Sequence, residues 1–273
     1  MSKHRHRGEE IWVCHLGLVP YSDGVALQET LRARRQAGEI ADLLLLLEHP
    51  PTYTVGRRSA IEELPFPESF YAAKGIAVHP TDRGGRITYH GPGQLVGYPI
   101  MAVGDVHRHL RLMEAAVISA LGDAGVAARS RHEEGIDYTG VWVQERKIAS
   151  IGVHLSRGIS THGFAVNVEN DLEPFSWVVA CGLPDVTMTS LAAETEGAHH
   201  HGASPVAGSG QAGERIGCFR KRVAHAFCEA HGRRQRIVTP TRLGLSAAQI
   251  HRGGPVGPEP FRSSPAVPQV VPA

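Results

Sequence analysis

The stretch Asp82–Ile100, DRGGRITYHGPGQLVGYPI, alternates like a strand in RITYH and in QLVGY, yet it carries five glycines. Glycine weakens a strand and packs nothing, so glycines kept in such a run point to unusual dihedrals or to close approach of another group to bare backbone. Gly91-Pro92-Gly93 reads as the tight turn of a hairpin. Gly84 and Gly85 are different: they precede the alternation and stand between Arg83 and Arg86, which fits backbone laid against a ligand better than a turn.

Outward from this stretch the chain mixes helices and strands. SDGVALQETLRARRQAGE predicts a helix with Ser22 or Asp23 as N-cap and Gly38 as its stop. The five leucines Leu43–Leu47, bounded by Asp42 and by His49-Pro50-Pro51, form a short, abruptly ended apolar run that predicts a strand buried on both faces. GIAVHPTDRGG predicts another short strand feeding the glycines, and Leu110, Met113, Val117 and Leu121 recur at helical spacing in a helix from about His107 that Gly122 ends. VWVQ, KIASIGVHL and GFAVNV predict a three-stranded meander turning at Glu145-Arg146 and Ser156-Arg157-Gly158. A further helix is expected in ERIGCFRKRVAHAFCEAH. Residues 195–214 read as a low-complexity loop and 251–273 as a Pro-rich, disordered tail, which leaves one domain in 1–250.

Charge and cysteines narrow the class. The 273 residues are 42% hydrophobic, enough for a sizeable core, and the formal charge of +1 carries neither a nucleic-acid footprint nor an acidic tail. Local arginine clusters such as Arg57-Arg58 read as solvated faces. Four cysteines without C-x-x-C spacing argue against a disulfide framework and a zinc ribbon, and a reducing compartment is expected. The polar N-terminus MSKHRHRGEE leads into no apolar signal segment, and the leucine run is too short to span a bilayer, so a cytoplasmic protein away from membranes is expected.

Two residues stand out chemically. By the two-residue period of KIASIGVHL, Lys147 shares a face with Ala149, Ile151, Val153 and Leu155. Burial in such a row disfavours an ammonium and makes an amine a usable base, whereas a lysine that merely follows a turn points at water. In FSWVVACGLPD the apolar run Trp177–Ala180 delivers Cys181 to its end, and Gly182 breaks the regular structure beside the thiol. Cys14, Cys218 and Cys228 read as small buried hydrophobes. His199-His200-His201 reads as a solvated tract, while His90 and His162, each before a glycine at a strand end, read as pocket walls.

Taken together, RGGRITYHGPGQLVGYPI, EHPPTYTVGR, GVWVQERKIASIG, STHGFAVNV and ACGLPDVTMTSL resemble, in order, the lipoyl(octanoyl) transferases, relatives of the biotin and lipoate protein ligases. The resemblance spans Leu43–Leu191 and implies an α+β (α/β mixed) fold, a single catalytic domain with a mixed β-sheet flanked by helices. It implies an acyltransferase of lipoate biosynthesis that takes an octanoyl group from octanoyl-acyl carrier protein. The acceptors it implies are lipoyl domains of 2-oxo acid dehydrogenase complexes and the glycine cleavage H protein. It places the nucleophile at Cys181 and its base at Lys147. It lines the acyl site with Arg83, Gly84, Gly85, Arg86, Ile87, Thr88, Tyr89 and His90, with Ser150, Ile151 and Gly152, and with Gly163, Phe164 and Ala165. It calls for no metal and no cofactor. An ATP-dependent lipoate or biotin ligase, which needs no cysteine nucleophile, and a non-catalytic lipoyl-domain binder are the alternatives.

Overall fold

In the computed structural model, which describes residues 9–183, 186–198 and 213–245, the leucine run decides the architecture. It forms β2 (Leu43–Glu48), with Leu44 and Leu46 in one apolar cluster and Leu43, Leu45 and Leu47 in another. A strand buried on both faces must lie inside a sheet covered on both sides. β2 does so, between β1 (Glu10–Leu18), which it meets in parallel, and β6 (Gln94–Ile100), which it meets antiparallel. Each fully buried leucine contributes about 1.5–3 kcal/mol.

The main sheet has nine strands in the order β12-β1-β2-β6-β10-β9-β8-β7, with β11 on the flank of β9. Its remaining members are β7 (Arg129–Ser130), β8 (Gly140–Val143), β9 (Arg146–Ser156), β10 (Ile159–Asn167), β11 (Thr187–Met188) and β12 (Arg234–Ile237). Helices α3 (Val106–Gly122) and α5 (Glu214–Ala230) cover one face, and α1 (Tyr21–Gln36) covers the other. A second sheet, β4-β3-β5, is built from β3 (Thr52–Val55), β4 (Ala77–Pro80) and β5 (Thr88–His90). With α2 (Glu68–Ala73), it encloses an aromatic core of Tyr53, Tyr71, Tyr89 and Phe175. The chain therefore has the expected mixed α+β fold.

The meander β8-β9-β10 is antiparallel throughout, and its second turn is Arg157-Gly158, both residues at positive φ (49° and 77°), as a two-residue hairpin requires. The first turn lies at Gln144-Glu145, one residue before its expected place. Helix α3 begins on Asp105, whose carboxylate accepts from the backbone N–H groups of His107 and Arg108 at 2.9 and 3.1 Å.

Three expectations are corrected. Helix α1 starts at Tyr21 after Pro20, so Ser22 and Asp23 lie inside its first turn and not at the N-cap; a proline ahead of a helix presets its entry dihedral. Gly91-Pro92-Gly93 is a turn, Gln94 N–H donating to Gly91 O at 3.1 Å, but it makes no hairpin, because β5 belongs to the small sheet and β6 to the large one. Cys218 is exposed on α5, unlike Cys14 and Cys228. The histidine tract at 199–201 and the Pro-rich tail lie outside the described residues. Among the described residues no helix is long and apolar enough to cross a membrane.

Candidate active site

Lys147 owes its position to a break in the strand pattern. Val141 of β8 pairs with Ala149 and Trp142 with Lys147, so Ile148 is an extra residue, a β-bulge. The bulge leaves Ile148, Ala149, Ile151 and Val153 on the α3/α5 side. Lys147 lies on the opposite side, its ammonium 5.2 Å from the Trp142 ring centroid and its stem against Gly140, where a Cβ would stand 2.9 Å from Cε. The expected row of Lys147 with Ala149, Ile151 and Val153 is thus corrected: strict alternation holds only above the bulge. Lys147 is nevertheless buried, 2% exposed, and no carboxylate pairs with it among the described residues.

The thiol arrives from the other direction. No strand forms over Trp177–Ala180; the chain makes two short 3-10 turns, Glu173–Trp177 and Ala180–Gly182. Cys181 sits in the second with φ 58° and ψ 14°, a left-handed conformation that a residue with a Cβ adopts only when its surroundings impose it. Here they do. Cys181 N–H donates to Ile87 O at 3.0 Å, and Val179 N–H donates to Glu63 O at 3.0 Å. The Glu63 carboxylate holds Arg86 at 2.5 Å, and Arg86 packs so closely on Gly182 that a Cβ there would lie 2.0 Å from its Cδ. Beyond the turn the chain returns as β11, where Met188 pairs with Lys147 and Thr189 N–H donates to Lys147 O at 2.9 Å. One segment thus carries the thiol and clamps the lysine's strand.

Beside the thiol lies Ser150, whose Oγ is 3.7 Å from Cys181 Sγ and 3.4 Å from the Thr88 hydroxyl. Cys181, Lys147, Ser150 and Thr88 line one cavity of about 300 Å³, within the range of small-molecule sites. Its floor is where the glycines act. The Gly84-Gly85 loop lies directly on β9: Gly84 N–H donates to Val153 O at 2.9 Å, and a Cβ on Gly152 would meet Gly84 O at 2.5 Å. Arg83, buried beneath that loop, donates among the described residues to neutral acceptors, the Thr54 hydroxyl and carbonyl at 2.7 Å and Gly84 O at 3.1 Å, and burial pulls its pKa below the ordinary value.

Of the residues expected at the acyl site, Arg83, Gly84, Gly85, Arg86, Ile87, Thr88, His90, Ser150, Ile151, Gly152, Gly163, Phe164 and Ala165 all line this cavity. Tyr89 does not. The two-residue period that turns Thr88 and His90 inward sends Tyr89 into the aromatic core, 5.5 Å from the Phe175 ring, where burial pushes its hydroxyl up to about 12. His162 lines the cavity as expected of a pocket wall. Sequence reading missed Tyr21, Tyr98 and Asp137 and left Arg57-Arg58 to solvent; all five line it, with Asp137 joining Arg58 at 3.0 Å to Arg86 at 3.4 Å. Two of the other thiols are poor nucleophiles, since burial raises Cys14 to about 12 and Cys228 to about 11. Among the described residues no group of three or more His, Cys, Asp or Glu is placed to hold a metal ion.

Residues 20–203 match the lipoyl protein ligase A/B catalytic domain. The chain belongs to that family. Similar proteins include octanoyltransferases of Solibacter usitatus and Rubrobacter xylanophilus, each 49% identical over 65% of this chain and 80% of the relative. The octanoyltransferase of Caldicellulosiruptor saccharolyticus is 45% identical over 66% of this chain and 77% of its own length. The chain is an acyltransferase of that kind. Its fold is also that of lipoate-protein ligase A bound with ATP, with a TM-score of 0.66 at 18% identity over 88% of this chain and 91% of that one. A structure described as a bi-partite lipoate protein ligase and its E2 lipoyl domain from Thermoplasma acidophilum gives 0.61 at 19% identity over 88% and 89%.

Proposed function

We propose that this family member moves an octanoyl group from the phosphopantetheine thiol of acyl carrier protein to a lysine of a lipoyl domain, with Cys181 carrying the acyl group between them. The observation that carries this reading is the convergence of a strained, buried cysteine and an unpaired buried lysine on one cavity. In the first half, Lys147 takes the Cys181 proton, the thiolate adds to the thioester carbonyl, the C–S bond to the carrier breaks, and the departing thiolate recovers the proton. In the second half, Lys147 accepts a proton from the incoming lysine ammonium. The free amine attacks the acyl-Cys181 carbonyl, the amide forms, and the released Cys181 sulfur is reprotonated. Each turnover yields one proton to solvent. Ser150, donating to the sulfur whenever it is anionic, and Thr88 behind it steady the charge.

The catalytic unit is residues 1–250, and lipoyl domains of 2-oxo acid dehydrogenase complexes and the glycine cleavage H protein are its acceptors. The pairing of a lipoate ligase with a lipoyl domain in a neighbour of this fold supports that class of acceptor. A free thiol nucleophile suits a reducing cytoplasm. A transfer assay with octanoyl-carrier and a lipoyl domain tests the reading: octanoylation proceeds without ATP and is abolished in Cys181→Ala. Octanoylation that requires ATP and free octanoate, or that survives Cys181→Ala, sinks it.

A further inference from the structure

We infer that a polar aromatic wall at the end of the cavity away from Cys181 sets the length of the acyl chain; this rests on the octanoyl-transfer reading above. The path is fixed by strand register. Ser150 on β9 pairs with Ala165 on β10, and Ala165 pairs with Val96 on β6, so all three share a face. Two inter-strand steps cover roughly 9–10 Å. Seven C–C bonds in an extended zigzag cover roughly 9 Å. A chain attached beside Ser150 and laid across Ala165 therefore ends at Val96 and Tyr98, which both line the cavity.

What it meets there is not an apolar floor. His90 stacks on Tyr21 at 6.1 Å, Tyr21 stands edge-on to His49 at 5.2 Å, His49 Nε2 bonds the Tyr98 hydroxyl at 2.6 Å, and the Tyr98 ring meets His162 at 6.2 Å. All five are buried. The Tyr21 hydroxyl is buried as well, with Thr81 as its polar neighbour. An eight-carbon chain ends against these packed rings. Two further methylenes would have to force the rings apart, and overpacking a filled wall is costly. The wall thus works as a ruler by volume.

The test is a competition. Carrier proteins loaded with six-, eight-, ten- and twelve-carbon acyl groups are mixed in equal amounts, and the acyl-enzyme formed in a single turnover is counted by intact mass. Wild type should carry octanoyl over decanoyl by about tenfold or more. Tyr21→Phe keeps the ring stack and the volume of the wall, so its length profile should stay close to wild type. Tyr21→Leu, which opens space, should raise the decanoyl-to-octanoyl ratio about tenfold. The ruler is overturned if wild type loads decanoyl as readily as octanoyl, if Tyr21→Leu loads octanoyl with an unchanged length profile, or if Tyr21→Phe changes the profile as much as Tyr21→Leu. Wild type that acquires no acyl group of any length overturns the transfer reading, and the ruler with it.

Discussion

Cys181 and Gly182 hold consecutive left-handed conformations, φ 58° and 69°, and the turn they make is what aims the thiol into the cavity. Only the glycine fits under Arg86, so Gly182→Ala should cost about 1–3 kcal/mol in a denaturant titration and impair acylation with it; full stability in that variant would mean the turn is not clamped. Lys147 is the harder case, because its role depends on proton transfer and not on shape. Lys147→Met should slow octanoyl transfer by about 10²–10⁴, and Lys147→Arg should be nearly as damaging, since a guanidinium stays charged and cannot act as base. Transfer at close to the wild-type rate in Lys147→Met would assign the proton to another group. The sequence left two readings of the lysine open, buried in an apolar row or pointing at water; the structure buries it, but on the other face of its strand.

At the scale of elements, the site depends on departures from regular structure. The bulge at Ile148 shifts the alternation by one residue and so keeps Lys147 opposite Ile148 and Ala149; deleting Ile148 would leave Lys147 next to Ala149, alternating regularly and still facing the cavity. That deletion should therefore retain more transfer than Lys147→Met while costing stability through the lost packing of Ile148; transfer as low as that of Lys147→Met would contradict the register argument. The elements themselves were legible where one rule governs them, as in the five leucines of β2, the helical spacing of α3 and the meander. They were illegible where tertiary contacts decide. No local signal marks Gly91-Pro92-Gly93 as a crossing between two sheets, or shows that the chain around Trp177–Ala180 runs from one 3-10 turn into another, because both outcomes depend on partners far away in sequence. The double glycine at 84–85 was read as backbone laid against a ligand; the close neighbours the structure shows are other stretches of backbone, Gly152 and Val153 beside Gly84 and Gly56 beside Gly85, which no single-segment reading reveals.

Across the whole molecule, buried histidines link the fold to pH. Burial holds His49 and His109 at about 4, below the ordinary 6.5, so both are neutral in the folded protein at pH 7 while the unfolded chain binds protons more readily. Stability from each is therefore present above 6.5 and lost as pH falls towards 4, on the order of 2 kcal/mol per histidine by pH 5. Urea titrations at pH 7 and pH 5 should show that loss, and His109→Gln should lessen it; equal midpoints at the two pH values would contradict it. The overall architecture was legible because five ordered motifs and a two-sided strand constrain it together, whereas the far wall of the cavity was not, since Tyr21, His49 and Tyr98 come from three separate segments that only the folded sheet assembles. The central claim is that Cys181 carries the acyl group, and it is tested most directly by mixing the protein with octanoyl-carrier in the absence of acceptor and mapping the modified peptide by mass. The account predicts one octanoyl group on Cys181, none on Cys14, Cys218 or Cys228, and its discharge when a lipoyl domain is added; an octanoyl group on any other residue, or one that the lipoyl domain cannot remove, would contradict it.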